Sequence, residues 1–486
     1  MESPDKSAIL TPPVGKKPRI NGATVFGVRP GAPLRYTIAA TGERPMMFDV
    51  AGLPRGAKID STTGVISGKI EETGTYKVTL HAFNSLGTAT RDLKIVVGKQ
   101  IALTPPMGWN SWNCWGPHID QAKILAAAQA MVSTRLIQHG WSFINIDDGW
   151  QGTRDSTGTL QPDPERFTNM ATLCDEIHAM GLKPGIYSSP WAKTFAGRTG
   201  GSSGEPQLPP RDEKAGWYIG SQTYEAQDAR QWAAWGMNYL KYDWGPMDLP
   251  SGQRMRAALD ACGRDILFNP TNSAPDEDFA AWAEMSECYF LWRRPKTGDN
   301  DIKDSWASVS SIGFRMSDWA DLVRPGHWND PDMLVVGRVG WDKEQHPCGL
   351  TADEQYTHIS LWSLLAAPLL LGCDLTQLDP FTLNLLTNDE VLAINQDPLG
   401  QAARKMGAHD QTEIWSRPLE DGSLAVGFFN RGESQTTVTA DWRSLGIEGT
   451  QTIRDLWRQK DLGTSKGEFG SQLPPHGVML LRLSRA

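Results

Sequence analysis

Lys241 and Asp243 stand two residues apart in the run Tyr239-Leu240-Lys241-Tyr242-Asp243. On an extended strand that spacing puts both side chains on one face. An ammonium beside a carboxylate keeps it ionised, as attack on an electrophilic carbon requires. The plain alternative is an ion pair closing a strand end. More acids stand behind other short apolar runs. Phe143-Ile144-Asn145-Ile146 leads into Asp147-Asp148-Gly149-Trp150, and Tyr289-Phe290-Leu291-Trp292 into Arg293-Arg294, then Asp299 and Asp301. His327-Trp328-Asn329-Asp330-Pro331-Asp332 introduces Met333-Leu334-Val335-Val336, and Asp374 follows Pro368-Leu369-Leu370-Leu371. A single such acid is an ordinary helix N-cap, but acids at this many run ends exceed what capping needs. Carboxylates accept paired hydrogen bonds from vicinal hydroxyls, and indole faces suit the C–H faces of a ring. The combination fits a neutral, polyhydroxylated ligand.

These residues need a scaffold that gathers run ends at one place. Between about Ile101 and Gln401 eight strand-like runs alternate with helical patterns, the other runs being Met107-Gly108-Trp109, Pro184-Gly185-Ile186-Tyr187 and Ile266-Leu267-Phe268. Helices are expected over Gln121 to Arg135, Met170 to Met180 and Glu225 to Trp235, the last two closed by Gly181 and Gly236. Eight such units over residues 100–401 predict an α/β fold, a (β/α)8 TIM barrel, whose site lies at the C-terminal strand ends. A doubly wound sheet is the alternative, but no Gly-rich phosphate turn accompanies it. Before the barrel, residues 19–99 carry short alternating stretches, among them Leu34 to Ile38, Tyr76 to Ala82 and Leu93 to Val97, with turns at Pro30-Gly31 and Thr63-Gly64. They predict an Ig-like β-sandwich acting as a spacer or docking module, behind a flexible tail over residues 1–18. Residues 402–486 revert to β signals, including Leu424 to Asn430 and Gly477 to Leu483, and predict an antiparallel β-sandwich. The segment from Thr194 to Trp217, rich in Gly, Ser and Pro, reads as a mobile insertion near the mouth that restricts substrate length.

Composition narrows the partners. The 486 residues carry a net charge of −9, with Lys16-Lys17-Pro18-Arg19 as a basic cluster. That balance argues against nucleic acid or an anionic membrane as partner. The longest apolar stretch, Leu361 to Gly372, is broken by Ser363 and Pro368 and reads as buried core rather than a membrane span. The opening MESPDKSAIL lacks a basic-then-apolar leader, and the six cysteines form no CxxC pair. Secretion or a periplasmic location, with the signal segment missing from this sequence, is the expectation. Nothing in the sequence speaks to oligomeric state.

Glycoside cleavage needs two carboxyls across one bond, about 5–5.5 Å apart for retention and about 6.5–9.5 Å for inversion. At about 4.8 Å per strand, the fourth and sixth runs lie on the order of 10 Å apart. Inward-reaching aspartates close that gap toward the retaining range.

Several long motifs then occur in one order. They are Leu103-Thr104-Pro105-Pro106-Met107-Gly108-Trp109-Asn110-Ser111-Trp112, Asn145-Ile146-Asp147-Asp148-Gly149-Trp150, Gly185-Ile186-Tyr187, Tyr239 to Asp243, Gly326 to Leu334, Ala366-Ala367-Pro368-Leu369 and Ile394-Asn395-Gln396-Asp397-Pro398-Leu399-Gly400. Together they resemble glycoside hydrolase family 27, the α-galactosidase (melibiase) family. The segment from Gly52 to Tyr76 resembles Ig-type modules attached to bacterial enzymes. The resemblance implies a retaining exo-glycosidase that removes terminal α-D-galactosyl residues from an oligosaccharide or glycan, without metal or organic cofactor. By motif Asp243 resembles the nucleophile, Asp147 and Asp148 the pair that grips the C4 and C6 hydroxyls, and Lys241 a hydroxyl-binding lysine. Trp112 resembles the platform under the ring, and Tyr187, Arg293, Asp332 and Met333 resemble lining or substrate-binding residues. For the acid/base, counting back from Trp306 selects Asp301, while the Thr297-Gly298-Asp299 tripeptide selects Asp299; Asp301 is the expected one.

Two departures matter. Gly245 stands where the family often has Cys, and Phe268 to Pro275 replaces a Glu-Trp type of loop that recognises the C2 substituent. α-N-Acetylgalactosaminidase and β-L-arabinopyranosidase therefore stay open within the family. Outside it, the alternatives are an inactive sugar-binding protein, a calcium loop at Asp299-Asn300-Asp301, and a metal-dependent hydrolase using His327, Asp330 and Asp332.

Overall fold

The computed structural model describes residues 6–207, 209–290, 301–341 and 344–486. Its middle part is built on eight parallel strands: β1 Met107–Asn110, β2 Phe143–Asn145, β3 Lys183–Ser188, β4 Tyr239–Asp243, β5 Leu267–Thr271, β6 Cys288–Tyr289, β7 Trp328–Asn329 and β8 Leu369–Leu371. Six form one sheet in the order β5-β4-β3-β2-β1-β8, and β6 pairs with β7. Single bonds close the rest of the ring. Glu287 N–H donates to the Phe268 carbonyl (3.1 Å) and Phe290 N–H to that of Pro270 (3.4 Å), joining β6 to β5. Leu334 N–H donates to Leu370 (2.8 Å) and Gly372 N–H to Leu334 (3.0 Å), joining the chain after β7 to β8. The short strands are buried on both faces, as a sheet wrapped by helices requires.

The intervening helices begin where the sequence supplies caps. Asp120 accepts from Lys123 N–H to open Gln121–Ser133, and Asn169 from Thr172 N–H to open Met170–Ala179. Thr351 and Glu354 form a reciprocal capping box at the start of Ala352–Leu364, a helix packed on all sides. Gly236, at φ +95°, ends Glu225–Trp235 in a left-handed turn.

The seventh strand differs from the sequence expectation. It is Trp328–Asn329, two residues into the His327 to Asp332 motif, and not Met333 to Val336. Of that apolar run only Leu334 makes a strand-like bridge, to Leu371. All four of its residues are buried because they turn through the core, a place as apolar as a strand.

The N-terminal strands form a four-stranded and a three-stranded sheet around their own core, with Leu34, Phe48, Ile66, Leu80 and Ile95 at its centre. This sandwich sits against the bottom of the barrel, the end where strands begin. Arg29 donates to Asp265 and Asp260 and to the carbonyls of Leu259 and Arg264, just before β5. Arg35 and Thr37 donate to the carbonyls of His178 and Gly181, just before β3. Ahead of the sandwich, Leu10 N–H donates to the Tyr356 hydroxyl and Thr11 N–H to the Asn384 side chain. At the other end of the chain a six-stranded antiparallel sheet and the pair Thr436–Asp441 with Glu468–Leu473 enclose a third core. Among the described residues no helix is long and apolar enough to cross a membrane.

Candidate active site

The residues that follow β2, β3 and β4 meet in one buried cluster at the C-terminal end of the barrel. Asp147 receives the Ser111 hydroxyl oxygen as acceptor for its N–H (2.9 Å), which fixes its backbone to the end of β1. Its Oδ2 lies 2.8 Å from the Lys241 ammonium, with both side chains almost wholly enclosed. Burial alone pulls the Lys241 ammonium down, but Asp147 and Asp243 outweigh it and its pKa is raised. Lys241 is thus a fixed cation.

Asp148 points to the other side. Its Oδ2 accepts from Ala196 N–H at 2.8 Å, and its Oδ1 is buried with no partner among the described residues. Burial, with the charges of Asp147 and Asp243 adding to it, pushes this carboxyl up to about 7. Gly149, at φ +115°, lets the chain turn away beneath Pro117, whose carbonyl would lie 2.6 Å from any Cβ.

Asp243 ends β4 and is 8% exposed, so the cluster opens to solvent there only narrowly. The Tyr187 hydroxyl donates to its Oδ2 and the Asn272 amide to its Oδ1, each at 3.1 Å. Burial and the three neighbouring aspartates raise the Tyr187 phenol well above its ordinary value, which keeps it a donor.

Asp332 lies in the turn after β7 at φ +81°. Its Oδ1 accepts from Met333 N–H and its Oδ2 from Ile302 N–H, so it fastens the segment that carries Asp301. Asp301 itself is half-buried beside the fully buried Ile302. Met333 is enclosed, and Trp112 is half-buried at the start of the short helix after β1. Arg293 and Asp299 lie outside the described residues, as does Asn300 of the proposed calcium loop.

Other acids named from sequence have different work. Asp374 caps a short helix by accepting from Thr376 N–H. Asp330 accepts from Asn269 at 2.8 Å and from Asp332 N–H at 2.9 Å. Burial, then the charge of Asp332, pushes it up to about 7. His327 faces the Ser286 carbonyl at 2.7 Å, and burial pushes its imidazole down to about 4. Among the described residues no group of three His, Cys, Asp or Glu side chains is arranged to hold a metal ion.

Sequence reasoning placed Asn272 in the loop after the fifth run, and Arg211 and Ala196 in the insertion near the mouth, but singled out none of the three. Asn272 is a neutral amide in a turn, Arg211 a solvent-facing arginine, and Ala196 acts through its backbone; none of these types signals chemistry. The insertion that carries the last two is folded. Ser202–Pro206 pairs with Gly220–Thr223, and Trp191, Phe195 and Trp217 pack ring against ring.

Comparison with known proteins agrees with this geometry. The alpha galactosidase A family profile matches residues 104–207 and 211–397, the alpha galactosidase C-terminal beta sandwich profile residues 409–483, and an Ig-domain profile residues 17–98. Alpha-galactosidase 3 of Arabidopsis thaliana is 37% identical over 407 residues, covering 81% of this chain and 85% of its own. A solved Bacteroides fragilis structure, provisionally assigned as an alpha-galactosidase/melibiase, covers 99% of both chains with 33% identity and a TM-score of 0.85. A β-L-arabinopyranosidase of glycoside hydrolase family 27 from Geobacillus stearothermophilus is 27% identical with a TM-score of 0.70, over 79% of this chain and 97% of its own. A carboxylate-lined mouth on an eight-stranded barrel and a match across most of the chain lead to one assignment: the protein is a glycoside hydrolase of family 27, the alpha-galactosidase (melibiase) family.

Proposed function

We propose that the enzyme removes terminal, non-reducing α-D-galactosyl residues by a retaining double displacement. An Asp243 oxygen attacks the anomeric carbon while Asp301 gives its proton to the departing glycosidic oxygen. The C–O bond breaks and an ester between sugar and Asp243 forms. Asp301, now a carboxylate, takes a proton from water as the water oxygen attacks the same carbon, and the Asp243 carboxylate is released. Tyr187 and Asn272 donate to the Asp243 carboxylate and Lys241 adds positive charge nearby, which supports its role as the ionised attacker.

The observation that carries the reading is the Asp147–Asp148 pair. Asp147 is committed to Lys241, whereas Asp148 keeps one buried oxygen, Oδ1, that has no partner among the described residues. A buried carboxylate oxygen is stabilised by a donor, and a sugar hydroxyl supplies one. Two adjacent carboxylates suit a ring bearing both C4 and C6 hydroxyls, which favours galactose over arabinopyranose, the same ring without C6.

The test is initial rates on p-nitrophenyl α-galactoside, α-N-acetylgalactosaminide and β-L-arabinopyranoside. The galactoside is expected to lead, and Asp243→Ala to lower kcat by roughly four orders of magnitude. A wild-type preference for the arabinopyranoside would sink the C6 argument. Full activity in Asp243→Ala would sink the mechanism.

A further inference from the structure

Among the bonds that the insertion between β3 and the helix Glu225–Trp235 makes to the barrel mouth, two lead to Asp243. Ala196 N–H holds Asp148. On the other side, Arg211 Nη1 donates to the Gly245 carbonyl at 2.9 Å, two residues beyond Asp243. Its guanidinium carbon stands 5.5–5.8 Å from the ring centres of Trp191, Phe195 and Trp217, so three aromatic faces fix its direction. Gly245 is closely boxed: a Cβ there would come within 2.8 Å of Asn272 Oδ1 and 3.0 Å of Arg211 Nη1. Asn272 sits at φ +113°, a conformation that a residue other than glycine adopts only when held. Its Oδ1 accepts from Ser273 N–H while its Nδ2 donates to Asp243 Oδ1. Both ends of the amide are therefore assigned, and the amino group is turned to the carboxylate.

We propose that Asn272 is a positioning residue for Asp243, and that Arg211 keeps it so by clamping Gly245 against it. The insertion then acts on the chemistry as a brace behind the nucleophile, not as a gate on substrate length. The inference rests on Asp243 being the nucleophile, as proposed above. Among the described residues, charged and titratable groups facing Asp243 include Lys241 on β4, Tyr187 on β3 and Asp148 after β2. Asn272 is the neutral donor from the end of β5. Replacing it by the isosteric acid exchanges a donor for a second negative charge.

The experiment takes the whole chain and first labels it with an activated fluorosugar of galactose, locating the label by mass spectrometry. A label on Asp243 secures the underlying reading; a label elsewhere overturns that reading and this inference with it. With Asp243 labelled, Asn272→Asp is expected to move the acid limb of the kcat/KM profile up by about one pH unit, with KM within about threefold of wild type. An unmoved limb overturns the inference. Should Asn272→Asp fail to fold, Asn272→Gly accepts the positive φ and removes the donor. It is expected to lower kcat about tenfold at unchanged KM, and an unchanged kcat is the contrary result. Arg211→Met is expected to lower kcat equally on an aryl galactoside and on raffinose, with Arg211→Lys recovering part of the loss. A change confined to KM for raffinose would return the insertion to the role of a gate.

Discussion

Asp148, the carboxyl proposed to hold the sugar, also bears on stability. An aspartate in the open chain titrates near pH ~3.9, whereas burial and its acidic neighbours push Asp148 up to about 7. Between those values the folded protein holds a proton that the unfolded chain has released. Stability from this group is therefore complete at low pH and falls as pH rises through that window. Asp330, pushed up to about 7 by burial and Asp332, tilts stability in the same direction. Asp148→Asn should be more stable than wild type at pH 7.5, by on the order of 1–3 kcal/mol of unfolding free energy, and match it near pH 4. The same change should lower kcat/KM by at least about 100-fold through loss of an ionisable partner for the sugar. A melting difference independent of pH would refute the assignment of the shift to Asp148. Asp147, Asp148, Lys241 and Asp243 were readable in the sequence because charges behind apolar runs are costly to place without a use. Asn272 was not, since its meaning lies in a φ angle and a neighbour brought by another strand.

Tryptophan is the element-scale device. Trp150 donates from Nε1 to the Tyr187 carbonyl at 2.9 Å and Trp362 to that of Asp332 at 2.9 Å, while Trp109 donates to Cys373 at 2.7 Å. All three rings are fully buried. They fix backbone near the end of β3 at Tyr187, after β7 at Asp332 and after β8 at Cys373. Trp150→Phe leaves the Tyr187 carbonyl only the long bond from Gln151 Nε2 (3.5 Å) and opens a gap beside it, and is expected to cost about 2–4 kcal/mol and to lower kcat severalfold. Thr351→Ala is the contrast: loss of the capping box should cost about 1 kcal/mol with kcat unchanged. Thermal melts beside steady-state kinetics separate the two, and a kcat loss in Thr351→Ala would contradict the distinction. Indole was read in the sequence as a face for a ring, and in these places it is core with one polar task. The barrel strands were legible except β7, since Met333 to Val336 is as apolar as a strand yet buried outside one, and β6, expected over Tyr289 to Trp292, is Cys288–Tyr289, with Leu291 and Trp292 outside the described residues. Hydrophobicity reports enclosure; only pairing reports extension, and β7 pairs for two residues.

At the scale of the molecule, the N-terminal sandwich is fastened to the barrel face opposite the acids. Arg29 carries much of that attachment. Burial pulls its guanidinium down, but the bond to Asp265 and the charges of Asp265 and Asp260 raise it overall. Arg29→Ala is expected to lower stability by about 1–3 kcal/mol while kcat/KM at 25 °C stays at the wild-type value. Reduced activity without reduced melting temperature would place the module in the catalytic path instead. The ring itself is joined by its first and last strands, with Met107 opposite Leu369. On the ribosome this order has a consequence. The sandwich is complete once Val97 emerges, yet its anchor points at His178, Gly181 and Asp265 are still to be made. The edge of β1 waits longer, until Leu371 is out of the exit tunnel. Through most of translation the nascent chain is a finished domain trailing an unclosed sheet, and that interval, rather than the mature fold, is where chaperones have work to do.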